Sequence, residues 1–456
     1  LTEHPDVLIL GGGSGGYACA LRAAQLGKTV TLIEADKVGG TCLHRGCIPT
    51  KALVHAASVV DTIGHAPSIG ITATLGDIDL AAVHRYQSGI VDRLHQGLRS
   101  LIAGRKIELV QGTGRYGGGT TVEVGGRRIT GSRLVLATGS QVRDLPGFPI
   151  GARILTSEQA LTHPHVPRRA IVLGGGVIGV EFAGIWASLG ADVTVIEALP
   201  RLIAGEDEWS SEHLTRALGK RGITVLTETR VAAAYEDASS VTVTMESGET
   251  LHADVLLVAV GRAPRTADTG FAEHGVALDD RGFVRVDDRL RTTVDDVYAV
   301  GDITPGPQLA HRGFQQGTFV AESIAGLAPA AVDDVNIPRV VYTAPEVASV
   351  GLTESAARER YPAIQTTVYD LAGNGKSQIL QTAGAIKLVR VADGPIVGVH
   401  MYGERVGELI GEAQLIVNWG AFPQDVAALV HAHPTQNEAL GEAAMALAGQ
   451  PLHAHR

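Results

Sequence analysis

The sequence predicts an α/β fold with two doubly wound units in tandem, followed by a C-terminal α+β domain. Three observations predict it. A strand, a glycine-rich turn, a helix and a second strand ending in an acid stand near the N-terminus. The same plan recurs after residue 170 with the same spacing. From about residue 335 strand-like runs mix with helical ones, which reads as a separate domain built on an antiparallel sheet.

In the first unit, Val7, Leu8, Ile9 and Leu10 form a short apolar run and Gly11 to Gly16 a turn. Residues 17–27 read as a helix ended by Gly27, and 29–33 as the next strand, with Glu34 at its end. In the second unit, strand 171–173 leads into Gly174 to Gly179, a helix running to Gly190, strand 193–196 and Glu197. From first glycine to acid is 23 positions in both copies (11 to 34 and 174 to 197), an agreement that two unrelated glycine clusters would not produce. Between the copies, residues 116–133 read as antiparallel β and lead to the apolar run 134–140. The second copy has its own β-rich stretch, followed by 255–262. The C-terminal strands are expected at 339–342, 385–390 and 396–400, and its helices at 409–419 and 435–448.

A chain of 456 residues has room for about three domains, each with its own core. The net charge of −10, with no cluster of Lys and Arg, excludes a broad nucleic-acid face and leaves room for a basic docking partner. No apolar run reaches the length of a membrane span. The first residues lack the basic-then-apolar layout of a secretion signal, and a start at Leu1 rather than Met fits processing or trimming. Only three cysteines are present, too few for a secreted disulfide framework. Two of them stand close together, which fits redox work in a reducing, cytoplasmic compartment. No metal site is expected, and the histidines near the end, His453 and His455, have no ligand spacing.

Each glycine turn follows a strand, opens a helix and ends at an acid about 20 residues on, the context that turns a weak motif into a dinucleotide site. Gly11 and Gly174 allow the tight turn, and Gly13 and Gly176 let backbone N–H groups approach a pyrophosphate. Gly16 and Gly179 let helix and strand pack closely, and Glu34 and Glu197 can each bond a ribose diol. The helix N-termini add positive potential for the phosphates. A cysteine pair lies directly after the first unit, so that unit is expected to hold FAD, exchanging electrons with sulfur, and the second the nicotinamide nucleotide. A carboxylate at Glu197 repels a 2′-phosphate and favours NAD over NADP, although Arg201 stands four residues on.

Cys42 and Cys47 are separated by Leu43, His44, Arg45 and Gly46. They can form a disulfide if the local helix is distorted, and Gly46 and Pro49 are candidates for the distortion. A helix N-terminus near Cys42 and the charges of Arg45 and Lys51 would lower a thiolate pKa. The spacing is poor for a zinc clip; two buried core thiols are the other plain reading. Cys19, on the first helix, reads as a core residue.

Further residues complete a pattern: Gly40-Thr41-Cys42 through Pro49-Thr50-Lys51, Ala137-Thr138-Gly139-Ser140, Glu181 after the second turn and Gly261-Arg262-x-Pro264. Val297 to Asp302 and His431-x-His433-Pro434-Thr435-x-x-Glu438 follow in order. Together these resemble the pyridine nucleotide-disulfide oxidoreductase family over essentially the whole chain, and most closely its branch that oxidises dihydrolipoyl groups. The resemblance implies two Rossmann-like domains that bind FAD and NAD(P), one tightly bound FAD per subunit, NAD as the second cofactor, and a C-terminal interface or dimerisation domain. It implies the borders 1–148 for the FAD-binding domain, 149–266 for the NAD-binding domain, 267–335 for a central domain completing the FAD site and 336–456 for the interface domain. The runs from Thr343 to Glu346 and from Gly351 to Glu354 resemble the opening of that last domain.

The same resemblance implies residue roles. Gly40, Thr41, Lys51, Thr138, Gly139, Ser140, Asp302, Ala310 and His311 would line the FAD site, with Asp302 accepting from ribitol or ribose hydroxyls. Glu181 and Gly261 would serve the NAD side, with Lys51 and Glu181 an ion pair beside the flavin. After Ala310-His311 the chain continues Arg312-Gly313-Phe314-Gln315-Gln316, where the family more often has an acid. His433 would be the acid–base for a substrate thiol, because the thiolate is the nucleophile, and Glu438 would hold its ring. Thr435-x-x-Glu438 is equally a capping-box spelling, and His431 reads as packing. In this family the counterpart of His433 reaches the disulfide of the opposite subunit, which implies a homodimer. The implied partner is the lipoyl-bearing subunit of a 2-oxo acid dehydrogenase complex or of the glycine cleavage system. Two rival functions stand beside this one. A reductase for another disulfide, a glutathione-like thiol or mercuric ion is opposed by Glu197 and by the lack of a C-terminal cysteine pair. A non-catalytic flavoprotein scaffold is opposed by the intact Cys42, Cys47, His433 and Glu438.

Overall fold

Val7–Leu10 is apolar at four consecutive positions and buried at all four. Consecutive burial requires cover on both faces of a sheet, the situation of a parallel sheet in an α/β unit. The computed structural model describes residues 4–453, so His455 lies outside the described residues. The chain folds as two compact units, one made of 4–53, 77–144 and 261–334 and the other of 54–76, 145–260 and 335–453.

The first unit is built on a five-stranded sheet in the order Val297–Ala299, Arg133–Leu136, Val7–Leu10, Val30–Glu34, Glu108–Gln111. Every neighbouring pair is parallel, with Val7 opposite both Val30 and Arg133. Side chains alternate between two cores, as a two-residue period demands. Val7, Ile9, Leu32 and Val135 join a core completed by helices Ser14–Gln25 and Ala310–Ile324. Leu8, Leu10, Ile33, Leu134 and Leu136 face another core, whose far side is Tyr116, Val122 and Val124. These come from the antiparallel sheet Gly114–Tyr116, Thr121–Val124, Arg127–Thr130. Each fully buried Leu or Ile contributes roughly 1.5–3 kcal/mol.

The second unit repeats this plan. Its parallel sheet runs Thr224–Leu226, Asp192–Ile196, Arg169–Leu173, Val255–Val258, Ile154–Thr156. The antiparallel sheet Val231–Glu236, Val241–Met245, Thr250–Ala253 covers one side through Ala234, Val241, Val243 and Met245. The same unit carries an antiparallel sheet of Arg339–Val341, Glu346–Gly351, Ile396–Gly403, Ala385–Val391 and Ile364–Asp370. Helices Val406–Asn418 and Glu438–Leu447 cover that sheet through Ala413, Ile416, Leu440 and Ala444. The expected α/β class, with tandem doubly wound units and a terminal antiparallel sheet, is the class observed.

Three expected helix starts move by three residues, one of them from 409 to Val406. The first helix begins at Ser14, not at 17, so Gly15 and Gly16 lie inside its first turn, where packing outweighs their poor helix propensity. The last helix begins at Glu438, not at 435, because Thr435 exchanges hydrogen bonds with Glu438 and holds the preceding residues in a turn. Helices Cys47–His65 and Leu80–Gly104 were not among the expected elements. Among the described residues no helix is long and apolar enough to cross a membrane.

Candidate active site

Both glycine turns are shaped by close approach. Gly11 and Gly174 have φ of +104° and +110°, and a Cβ on them would lie 2.2 Å from Ala137 O and 2.5 Å from Ala259 O. A Cβ on Gly16 would lie 1.8 Å from Gly11 O, and one on Gly179 1.9 Å from Gly174 O. Gly13 and Gly176 are the N-caps of helices Ser14–Gln25 and Val177–Ser188, and neither helix has a side-chain cap. Their first-turn N–H groups therefore remain available to an anion. Glu34 Oε2 accepts Gly12 N–H at 2.6 Å and its Oε1 accepts Asp36 N–H at 2.8 Å. Glu197 repeats the pattern with Gly175 N–H and Leu199 N–H, both at 2.7 Å. Every oxygen of these carboxylates keeps a lone pair for a ribose hydroxyl. Arg201, which could have favoured a 2′-phosphate, donates to Glu206 O at 2.8 Å and Ala204 O at 2.9 Å. Both cradles fit a dinucleotide, and the second fits one without a 2′-phosphate.

The cysteine segment is fastened to the first cradle. Gly39 N–H donates to Gly12 O at 2.8 Å, and a Cβ on Gly40 would lie 2.7 Å from Gly13 Cα. Helix Gly40–Arg45 then carries Cys42, Gly46 breaks the helix with φ −143° and ψ −108°, and Cys47 begins helix Cys47–His65. The break brings the two Cα atoms to 4.6 Å, and Cys42 and Cys47 form a disulfide. Pro49 stands in the first turn of the second helix, where its missing N–H costs little, so the distortion comes from Gly46 alone. Arg45 is ion-paired with Asp36, so its charge is shared with a carboxylate rather than left for the thiols. Lys51 is half-buried on helix Cys47–His65. Cys19 is the free, fully buried thiol among the described residues, and burial pushes its pKa up to about 12, which leaves it inert.

Around the first cradle, Thr138 Oγ1 donates to Arg265 O at 2.6 Å and Arg265 N–H to Gly139 O at 2.8 Å. Ser140 Oγ donates to Asp302 Oδ2 at 2.5 Å while accepting from Arg262 Nε at 2.7 Å. This chain of bonds fixes the Asp302 carboxylate and leaves its Oδ1 available to a hydroxyl. Ala310 opens helix Ala310–Ile324, which also lacks a side-chain cap, and His311 is exposed. The departure after His311 is absorbed locally. Arg312 is buried and pairs with Asp334 at 2.5 Å, and Gln316 accepts Gly301 N–H at 2.7 Å. Gly261, with φ +104°, accepts Arg143 N–H at 3.2 Å. In the second unit Glu181 is buried and accepts Tyr342 N–H at 3.1 Å.

At the C-terminal end, His433 Nδ1 lies 2.8 Å from Glu438 Oε1. The other Glu438 oxygen accepts Thr435 N–H at 2.7 Å, and Glu438 N–H donates to Thr435 Oγ1 at 3.3 Å. One carboxylate thus makes both the reciprocal Thr435 bond of the capping-box spelling and the imidazole contact, with one oxygen for each, but the Thr435–Glu438 exchange precedes the helix, whose N-cap is Asn437, and caps nothing. Burial pushes the Glu438 carboxyl up, but Thr435 N–H, the bond from His433 and the charges of His433 and His431 outweigh it and hold the carboxyl below its usual range. With Nδ1 engaged and 77% of its side chain exposed, His433 has Nε2 as the ring nitrogen outside the contact with Glu438. Asn374 Nδ2 donates to Thr435 O at 2.9 Å, a contact across 61 residues that no local pattern announces. His453 Nδ1 lies 2.8 Å from Glu442 Oε1.

The cysteines, Glu34, Ser140 and Asp302 belong to the first unit; His433, Glu438, Glu181, Glu197 and the second glycine turn belong to the second. Arg262 was legible as part of Gly261-Arg262-x-Pro264, but its bond to Ser140 was not.

Known proteins resemble this chain over nearly its whole length. Residues 5–317 match the pyridine nucleotide-disulphide oxidoreductase family, and residues 337–444 match its dimerisation domain. The dihydrolipoyl dehydrogenase of Geobacillus stearothermophilus is 38% identical over 457 residues, covering 98% of this chain and 97% of that one. The dihydrolipoyl dehydrogenase of Thermus scotoductus is 39% identical, covering 98% of each. The crystal structure of LpdA from Mycobacterium tuberculosis superposes with a TM-score of 0.91 at 25% identity, covering 97% of this chain and 99% of that one. Two glycine cradles, a disulfide fastened to the first of them and a match across nearly every residue lead to one conclusion: the chain belongs to the pyridine nucleotide-disulphide oxidoreductase family.

Proposed function

We propose that the chain oxidises protein-bound dihydrolipoyl groups to lipoyl groups with NAD⁺, through the Cys42–Cys47 disulfide and FAD. The observation that carries this reading is the fastening of that disulfide to the first glycine cradle by Gly39 and Gly40. The full-length likeness to two dihydrolipoyl dehydrogenases supports the substrate class.

The chain's own residues supply the thiol chemistry. His433 Nε2 takes the proton from one dihydrolipoyl thiol, and Glu438 stabilises the resulting imidazolium through Nδ1. The thiolate attacks Cys42 Sγ; the Cys42–Cys47 bond breaks and Cys47 leaves as thiolate. The second lipoyl sulfur attacks the lipoyl sulfur of the mixed disulfide; the bond to Cys42 Sγ breaks and the proton of the second thiol ends on Cys42, so that lipoyl departs oxidised, Cys42 is left as a thiol and His433 keeps the first proton. FAD and NAD⁺, when bound, would supply the electron sink for the reduced cysteines. Gly11, Gly13, Gly16, Glu34, Gly40, Thr41, Lys51, Thr138, Gly139, Ser140, Asp302, Ala310 and His311 hold FAD in this reading. Gly174, Gly176, Gly179, Glu181, Glu197 and Gly261 hold NAD, with Lys51 and Glu181 paired beside the flavin.

The work divides among 1–148 for FAD, 149–266 for NAD, 267–335 for completing the FAD site and 336–456 for the interface. The match to a dimerisation domain supports a homodimer in which His433 serves the partner's disulfide. The lipoyl arm comes from a 2-oxo acid dehydrogenase complex or the glycine cleavage system, because lipoyl is carried on another protein in both. A steady-state assay with dihydrolipoamide and NAD⁺ tests the reading. Cys42→Ser is expected to lose turnover while the purified protein keeps its bound FAD; wild-type turnover in that variant would remove Cys42 from the chemistry.

A further inference from the structure

The segment leading into helix Glu438–Leu447 carries a second histidine–carboxylate pair beside the first. His431 Nε2 lies 2.9 Å from Glu412 Oε1, with only 11% of the His431 side chain exposed. The other Glu412 oxygen accepts Asn437 Nδ2. One carboxylate, on helix Val406–Asn418, thus grips the segment at two points: two residues before His433 and one residue before Glu438. The His431 ring also has a fitted place, since a Cβ on Gly441 would lie 2.6 Å from its Nδ1. Asn374 and Gln436 steady the middle of the segment through Thr435 O and Glu404 O, both at 2.9 Å, but Glu412 alone holds both ends.

A largely buried polar pair adds little net stability, because desolvation offsets the attraction. Position is what such a pair can supply. An acid–base group works only within hydrogen-bond reach of the proton it moves, and a displacement of about 1 Å can cost on the order of a hundredfold in rate.

We infer that Glu412 and His431 form a positioning pair for the His433–Glu438 dyad, holding residues 431–438 so that His433 Nε2 faces the substrate thiol. The inference rests on the acid–base reading of His433. Neither Glu412 nor His431 touches the reacting atoms. They act by fixing where the segment starts and ends.

The test uses the full-length holoenzyme with Glu412→Ala, Glu412→Gln and, as reference, His433→Gln. Three quantities are read: kcat and KM for dihydrolipoamide with NAD⁺, the rate of ferricyanide reduction by NADH, which moves no thiol proton, and amide hydrogen exchange across 433–437 by mass spectrometry. Glu412→Ala is expected to lower kcat for dihydrolipoamide by about tenfold to a hundredfold. KM and ferricyanide reduction should stay within about twofold, and exchange in the segment should quicken. Glu412→Gln should return kcat to within about threefold of wild type, because an amide can still bond both Asn437 and a re-tautomerised His431. Three results overturn the inference: unchanged kcat in Glu412→Ala, an equal fall of both activities, or a Glu412→Gln as impaired as Glu412→Ala. If His433→Gln itself turns over dihydrolipoamide at the wild-type rate, the acid–base reading fails instead, and the two failures are told apart.

Discussion

The two glycine turns share one backbone grip and differ in what closes over it. Gly11 matches Gly174, Gly12 matches Gly175 and Gly16 matches Gly179 in burial, and Glu34 and Glu197 take the same pair of backbone N–H bonds. The copies part at the next-to-last position. Gly15 is buried, and a Cβ there would lie 2.9 Å from Val300 Cγ2 and 3.3 Å from Gly313 O. A Cβ on Gly317 would in turn lie 2.2 Å from Gly15 O, so helix Ala310–Ile324 meets helix Ser14–Gln25 backbone to backbone. In the second copy Ile178 holds the equivalent place, Gly176 is exposed and Val177 is 41% exposed. The glycines common to both copies answer to phosphate and to the turn; the extra glycine answers to a neighbouring helix. An enclosed cradle suits a resident cofactor, and an open one suits a nucleotide that must enter and leave at each turnover.

The strongest way to break this comparison is to block each turn separately. Gly16→Ala and Gly179→Ala place a methyl within 2 Å of a backbone carbonyl, at 1.8 Å and 1.9 Å, which no rotamer relieves. Overpacking of this kind typically costs about 1–3 kcal/mol or more. Gly16→Ala is expected to purify without flavin absorbance. Gly179→Ala should remain yellow yet show no reduction by NADH. If both variants lose the same cofactor, the assignment of one nucleotide to each copy is wrong.

The repeat was legible because everything that defines it is local. The turn, the helix, the strand after it and the terminal acid fall within 23 positions, and the Cys42–Cys47 spacing is shorter still. The purpose of Gly15 was not legible, since it depends on Val300 and Gly313, far along the chain. The same holds for Asn374 against Thr435 and for Glu412 against Asn437. Sequence spelling offered two readings of Glu438 as competitors, whereas a carboxylate has two oxygens and makes both contacts, to His433 and to Thr435. Charge near the cysteines was overcounted, because Arg45 is paired with Asp36 and nothing in the spacing announces that pairing.

A milder exchange sharpens the point about packing. Giving each copy the other's residue, Gly15→Ile should destabilise the protein by about 3 kcal/mol or more, since the new side chain meets Val300 and the Gly313 carbonyl. Ile178→Gly should cost only about 1–2 kcal/mol, from helix propensity and a half-buried side chain. Denaturant midpoints at constant slope measure both changes. Equal losses would mean that the neighbouring helix is not what distinguishes the two copies.

The smallest effect on the fold is expected at Gly176. Its φ of −75° is open to any residue, and no heavy atom lies within 4 Å of a Cβ built there. Gly176→Ala should therefore change stability by less than about 1 kcal/mol, the scale of an N-cap substitution. The added methyl nevertheless stands at the mouth of the uncapped helix, where a pyrophosphate must come close to the backbone N–H groups. KM for NAD⁺ should rise about tenfold, equivalent to roughly 1.4 kcal/mol, with bound FAD and the melting temperature unchanged. An unchanged KM would place the nucleotide's phosphates elsewhere on the second unit and leave the symmetry of the two turns without a functional meaning.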